Sequence, residues 1–492
     1  MANSTFQYFP AIAISRSRDL VHWEIIAHAV TETDRLDLSD LADSHGIWAP
    51  DISYHDGLFH VYATLRLNDP PEGVKAPSRR QIHVSSPRPE GPYSRPVFLD
   101  IDNIDPSLFV DDDGSRYMVI APGITLVRLS PDGDRLAGEP RQVWPGTGRR
   151  APEGPRLIKR GGWYYALLAE GGTGFAHCVT VARSRSLFGP YECCPDNPIL
   201  SQPDPAAPIQ RCGHAQLVRT QAGDWWMLYL CGRSNGGPYT TLGRETALDP
   251  VRWTEELWPE VNGGAGPSAV QAAPDLPEHP FPEPERDDFD EKRLRLTWQF
   301  VRNPDPASWS LSERPGFFRI WTGEWDLDSL RAKNTLLRRE TEHRYAASLR
   351  LEFDPRESGD RAGLTCYYGT RNHAKLFLCR EGGLKARLIV NRNGDATMLG
   401  EIDLTEKSGS GVELRVEVAG QARAFSARSD GGEWRRVGKV ADASFLSDEG
   451  VLEGKHHTGT LVGMFANSGG AGRRIPADFD WFDYRPESGE RR

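Results

Sequence analysis

Four residues with different chemistry occupy one register of four similar segments. Trp48 in "GIWAPDISYHDG", Asp105 in "DPSLFVDDDG", Glu153 in "EGPRLIKRGG" and His214 in "HAQLVRTQAG" each stand nine positions before a turn glycine (Gly57, Gly114, Gly162 and Gly223). Two carboxylates facing one cavity are the minimum for acid/base cleavage of a glycosidic bond. One must be protonated to help the leaving group depart, and another must activate water or attack. A like charge or an apolar wall nearby raises the acid's pKa into the working range. Trp48 offers a flat apolar face to a sugar ring. His214 reads equally as a hydrogen-bonded histidine at the centre of a channel and as a substrate contact.

The competing reading makes Asp105 and Glu153 turn caps, a common use of acids beside Pro or Gly. Recurrence at one register favours the site, and the Pro or Gly beside each group suits an exposed rim. Arg244, in "LGRET", either clamps hydroxyls or pairs with Glu245 at the surface. Asp51 lies in the same region, but three residues off the register, and receives no role.

The elements that would position these groups are hairpins with a polar glycine turn and aromatic-rich alternation: "DISYHDGLFHVYAT", "SLFVDDDGSRYMVI", "PRLIKRGGWYYALL" and "AQLVRTQAGDWWMLYL". They alternate with five tails that begin "SRSRDLVHWE", "VSSPRPEGPY", "LSPDGDRLAG", "ARSRSLFGPY" and "GRETALDPVRW". A hairpin and a tail make one sheet of about four strands, the blade of a β-propeller. Five tails and four hairpins give an all-β, five-bladed β-propeller with its first blade incomplete. The residues around Ser4 to Phe9 then end the second strand of blade one. Groups just before each hairpin line the funnel at the axis.

Six prolines between Pro267 and Pro284 mark an extended linker. The reading is a propeller over 1–268, a linker over 269–286 and a β-sandwich over 287–487. The sandwich follows from short alternating strands such as "YAASLRLEF", "KLFLCR" and "VELRVEV".

Net charge is −10, with acidic and basic residues interspersed, so there is no basic block to track a phosphate backbone and nucleic acid is not an expected partner. No apolar run approaches the ~20 residues of a membrane helix, and the start lacks a signal peptide's charged and apolar regions. Seven cysteines without CxxC spacing argue against a disulfide framework. A cytoplasmic protein with no membrane partner is the expectation.

In this order, the segments resemble the family 43 glycoside hydrolases, specifically the β-xylosidase branch with a C-terminal β-sandwich. The likeness runs from "STFQYFPAIAISRSRDLVHWE" through "GIWAPDISYHDGLFHVYAT", "DPSLFVDDDG", "EGPRLIKRGGWYYALLAEGGT" and "GHAQLVRTQAGDWWMLYL" to "ADFDWFDY". It implies inverting hydrolysis of terminal β-D-xylose or α-L-arabinofuranose from short xylo- or arabino-oligosaccharides. By resemblance, Glu153 is the general acid and Asp105 the carboxylate that orients it and keeps its pKa high. Phe6, Trp48 and Arg244 line the terminal-sugar pocket. His214 is the central-channel histidine, which in some members helps hold a metal ion, so a structural calcium ion enters as an expectation while no cofactor is required. Homo-oligomers occur among such relatives and are expected here.

The family's general base is an Asp in a "PDPS"-like segment upstream of "STF", where this chain has only Met1, Ala2 and Asn3. The general base is therefore expected to be absent from the chain, and the glycosidase impaired. An in-frame upstream extension of roughly 25–30 residues, one hairpin's worth, would supply it. The alternative from another class is a base-less propeller that binds carbohydrate without turnover. The related xylosidases also reach into the pocket with an aromatic from a "TG-x-aromatic-VGM" segment. Here the segment reads "TGTLVGM", which places Leu461 there, either at the pocket or in an ordinary core strand.

Overall fold

The computed structural model describes residues 1–235, 237–404 and 411–487. Its regular structure is β-strand, with three short 3₁₀ turns among the described residues. The chain alternates as a sheet requires: in Arg344–Phe353, Tyr345, Ala347, Leu349 and Leu351 point into the core, while the residues between them are more exposed.

Five small antiparallel sheets succeed one another over the first 261 residues. Blade one has three strands, Ala2–Asn3, Ala11–Arg16 and Glu24–Val30. Blade two runs from Gly46–His55 to Val97–Leu99 and blade three from Ser107–Val110 to Arg141–Trp144. Blade four starts at Glu153–Arg160, and blade five runs from Ile209–Arg219 to Pro259–Val261. This is the five-bladed propeller with a short first blade.

The expectation for Ser4 to Phe9 needs correction. The strand paired with Ala11–Arg16 ends at Asn3; Phe6 then bridges to Ile47 of blade two, and Tyr8–Phe9 pairs antiparallel with Gln299–Val301 of the second domain. Tyr8 and Phe9 are both buried. A two-residue apolar strand satisfies its backbone in whichever sheet offers an edge, and that edge belongs to residues some 290 positions away.

Apolar clusters fill the seams between successive blades. Ile12, Val61 and Ile82 belong to the cluster between blades one and two; Tyr62, Met118 and Val127 to that between two and three. Phe109, Leu126 and Leu168 serve three and four, and Leu167, Val179 and Tyr229 serve four and five. The seam between blades five and one holds no such cluster among the described residues. A cavity of about 1500 Å³ runs from Trp48, Asp105 and Glu153 into this seam, where Ala13, Ile25 and His28 wall one side and Trp226, Leu228 and Ala247 the other.

The second domain is a sandwich of two large antiparallel sheets, one of which includes Tyr8–Phe9. It packs on the propeller through fixed polar contacts as well as apolar ones. Arg302, fully buried, donates to Asp43 Oδ1 (2.9 Å) and to the Leu41 carbonyl (2.8 Å), and Asp43 also accepts from the Thr370 N–H and hydroxyl (both 2.7 Å). Asn303 caps the loop at Leu38 (2.6 Å) and Leu36 (2.7 Å). Between the domains, the described linker residues run over blade one, where the His279 N–H donates to Asp19 Oδ2 (2.8 Å).

Candidate active site

The four register residues reach the axis by the same backbone device. Trp48, Glu153 and His214 lie at or beside register shifts in the first strands of their blades, between Trp48 and Asp51, Glu153 and Arg156, and Gly213 and Gln216. Asp105 directly precedes its strand. A residue with positive φ occurs at each: Ala49 (41°), Asp105 (61°), Gly154 (59°) and His214 (48°). An extra residue in a strand bends it and re-aims a side chain, which is how bulges serve sites at sheet rims.

All six side chains singled out for the site, Phe6, Trp48, Asp105, Glu153, His214 and Arg244, line the one cavity. Asp105 Oδ2 accepts the Gly154 N–H (2.8 Å), so the carboxylate of blade three fixes the backbone beside Glu153 of blade four. Its own N–H donates to Thr64 Oγ1 of blade two (3.1 Å). Gly154 has a second role: a Cβ there would lie 2.9 Å from His214 Cγ, so only glycine lets the imidazole lie against this turn.

Burial pushes the Glu153 carboxyl up to about 7, and the negative charge of Asp105 adds to it; Arg244 and Arg150 pull the other way. Glu153 is thus largely protonated at pH 6 and ionised at pH 8. Burial lowers the pKa of His214 and keeps its imidazole neutral near pH 7, with Asp105 opposing and Arg156 and Arg244 reinforcing the shift.

Trp48 donates from Nε1 to the Ser44 carbonyl (2.7 Å), which leaves its ring as the cavity wall. Phe6 is held by two backbone bonds to Ile47 (both 3.0 Å). Arg244 places its guanidinium carbon 5.8 Å from the Phe6 ring centroid. Glu245 pairs with Arg233 (3.1 Å), which leaves Arg244 to the cavity.

Asp51 is buried and spent on structure, accepting from Arg156 and from the Leu108 N–H (2.9 Å). Leu461 is fully buried in the interdomain cluster with Phe6, Tyr8 and Tyr367, so it is a core residue. The sandwich reaches the cavity one turn earlier, through His457, with its ring 5.5 Å from Trp48 at 82° and 6.5 Å from Phe6. His177 and Arg339 are further lining residues that the repeat register could not find, because they lie outside the hairpins. The His-His pair in "KHHTGT" was the available signal for His457.

The remaining carboxylates on the cavity wall each have an arginine partner. Glu24 pairs with Arg16, Glu245 with Arg233, Glu283 with Arg338 and Glu340 with Arg423. Among the described residues, no group of three or more His, Cys, Asp or Glu is placed to hold a metal ion. The charged groups that act on His214 are the carboxylates Asp105 and Asp51 and the cations Arg156 and Arg244, which falls short of the six to eight oxygens of a calcium ion held by protein groups.

A propeller whose axis carries a protonatable buried carboxyl, a second carboxylate braced against it and an aromatic, arginine-edged wall defines a glycoside hydrolase. The Glycosyl hydrolases family 43 model matches residues 1–259, and the Beta xylosidase C-terminal Concanavalin A-like domain matches residues 286–485. The chain belongs to glycoside hydrolase family 43. It is 35% identical to a xylan 1,3-beta-xylosidase from a Vibrio species, over 98% of this chain and 94% of that protein. It is 34% identical to a non-reducing end alpha-L-arabinofuranosidase from Bacteroides ovatus, over 99% and 90%. The crystal structure of the GH43 BlXynB protein from Bacillus licheniformis superposes with a TM-score of 0.96 at 56% identity, covering 99% of this chain and 95% of that one.

Proposed function

We propose that this glycosidase removes terminal pentose units, β-D-xylose or α-L-arabinofuranose, from short oligosaccharides, with inversion at the anomeric carbon. The observation that carries the reading is the buried carboxyl of Glu153, protonated to about pH 7 beside Asp105, on a cavity wall built from Phe6, Trp48 and Arg244. Glu153 donates its proton to the glycosidic oxygen as the bond to the anomeric carbon breaks, while a water molecule bonds to that carbon from the opposite face and releases its proton to solvent. Asp105 holds the donor's backbone and keeps its pKa high, and Arg244 and the rings seat the terminal sugar. Names of relatives point to both pentoses. Proton NMR of xylobiose hydrolysis tests the reaction: α-xylose as the first-formed anomer supports inversion, and β-xylose first overturns it.

A second reading, sugar binding without turnover, is favoured by one observation. Every lining carboxylate except Glu153 and Asp105 is engaged by an arginine, which leaves no described third carboxylate to activate water. A bound pentose with no product after prolonged incubation would select it.

A further inference from the structure

The loop that carries His457 belongs to the sandwich by sequence but is tied to the propeller on both sides. The His457 N–H donates to Ser44 Oγ (3.3 Å), and the Thr460 N–H donates to the Thr241 carbonyl (2.8 Å). Between these ties, Gly243 and Gly459 meet backbone to backbone. A Cβ on Gly243 would lie 2.6 Å from Gly459 Cα, and one on Gly459 would lie 2.6 Å from the Leu242 carbonyl oxygen. Both glycines have positive φ, 73° and 69°. The contact places the loop bearing Arg244 directly against the loop bearing His457.

The imidazole that results stands edge-on to Trp48, tilted against Phe6 and on the cavity wall. Burial drives its pKa well below the usual histidine value, and the charges that face it, Arg244 first, then His456 and Lys455, act in the same direction. The ring is therefore neutral, with one N–H and one bare nitrogen. The bare nitrogen is an acceptor beside the Trp48 and Phe6 rings, and a ligand that expels water from it must offer a donor or leave it unsatisfied.

Building on the pentose-pocket reading above, we propose that His457 is a specificity-determining residue, whose free ring nitrogen accepts a hydrogen bond from a hydroxyl of the terminal sugar. Sandwich and propeller together then define which terminal unit fits.

Calorimetric titration of the full chain with D-xylose and with xylobiose tests this. His457→Phe keeps an aromatic ring and removes the acceptor; His457→Gln restores a carbonyl acceptor. Both sugars are expected to bind His457→Phe about 3- to 10-fold more weakly than the parent and His457→Gln nearly as well as the parent, with unfolding temperatures unchanged. Unchanged xylose affinity in His457→Phe, or a loss seen with xylobiose alone, overturns the assignment to the terminal unit. A set of monodeoxy xylosides on the unmodified chain gives an independent check, since removing the donor hydroxyl must weaken binding by a similar factor. If the unmodified chain binds neither sugar and no L-arabinofuranoside either, the pentose-pocket reading itself fails, an outcome distinct from a normal parent with an insensitive variant.

Discussion

The proposed chemistry turns on Glu153, and burial beside Asp105 raises the pKa of its carboxyl to about 7. Desolvation and the Asp105 charge raise its pKa together, so Asp105→Asn removes one cause and the basic limb of kcat/KM moves to lower pH, while the mutated site also loses part of its hold on the Gly154 N–H. The same shift bears on stability. A carboxyl whose folded pKa is raised above its unfolded value contributes stability in full below the unfolded pKa, and loses it as pH rises through about 7. Glu153→Gln should therefore match the parent's melting temperature near pH 4.5 and exceed it at pH 8, as thermal melts across that range would show. Asp105, Glu153, Trp48 and His214 were legible because a repeat gives every blade the same count from its turn glycine. His457 was not, because a single histidine outside the repeat carries no register, and only the closure of two distant loops brings it to Trp48.

Strands and hairpins were legible wherever apolar alternation meets a polar glycine turn, and the fifth blade was legible from the fifth tail. The partner of a two-residue strand was not: "YF" at 8–9 reads the same in either sheet, and its pairing with Gln299–Val301 is a long-range choice. The bulges that aim Trp48, Glu153 and His214 were equally hidden, although the Pro or Gly beside each marked the irregular backbone. The loop contact between Gly243 and Gly459 is the most sensitive element of the site. Gly459→Ala introduces a Cβ against the Leu242 carbonyl at a φ of 69°. It should lower kcat/KM for aryl xylosides by about tenfold or more, the scale of an ~1 Å displacement of a binding wall, while the circular dichroism spectrum is retained.

Across the whole molecule, buried polar contacts join the two domains. Arg302 has no exposed surface, and its bond to Asp43 joins a network that includes Thr370 and the Leu41 carbonyl. Removing Arg302 takes the charged donor from a half-buried Asp43 that keeps, among the described residues, only its Thr370 bonds, at a cost of about 1–3 kcal/mol. Arg302→Met should lower the melting temperature of propeller and sandwich together in a single calorimetric transition; two resolved transitions would show that the domains unfold independently. The sandwich is part of the pocket wall, as the resemblance implied from the "TGTLVGM" segment, but through His457 and not Leu461. The central claim, that Glu153 delivers the proton to the departing oxygen, is tested most directly by comparing the parent with Glu153→Gln on two substrates. On xylobiose, whose leaving group needs the proton, the account predicts a loss of about 10²–10⁴ in kcat; on dinitrophenyl β-xyloside, whose leaving group does not, it predicts a loss many times smaller. Equal losses on both substrates, or undiminished xylobiose cleavage by Glu153→Gln, would contradict it.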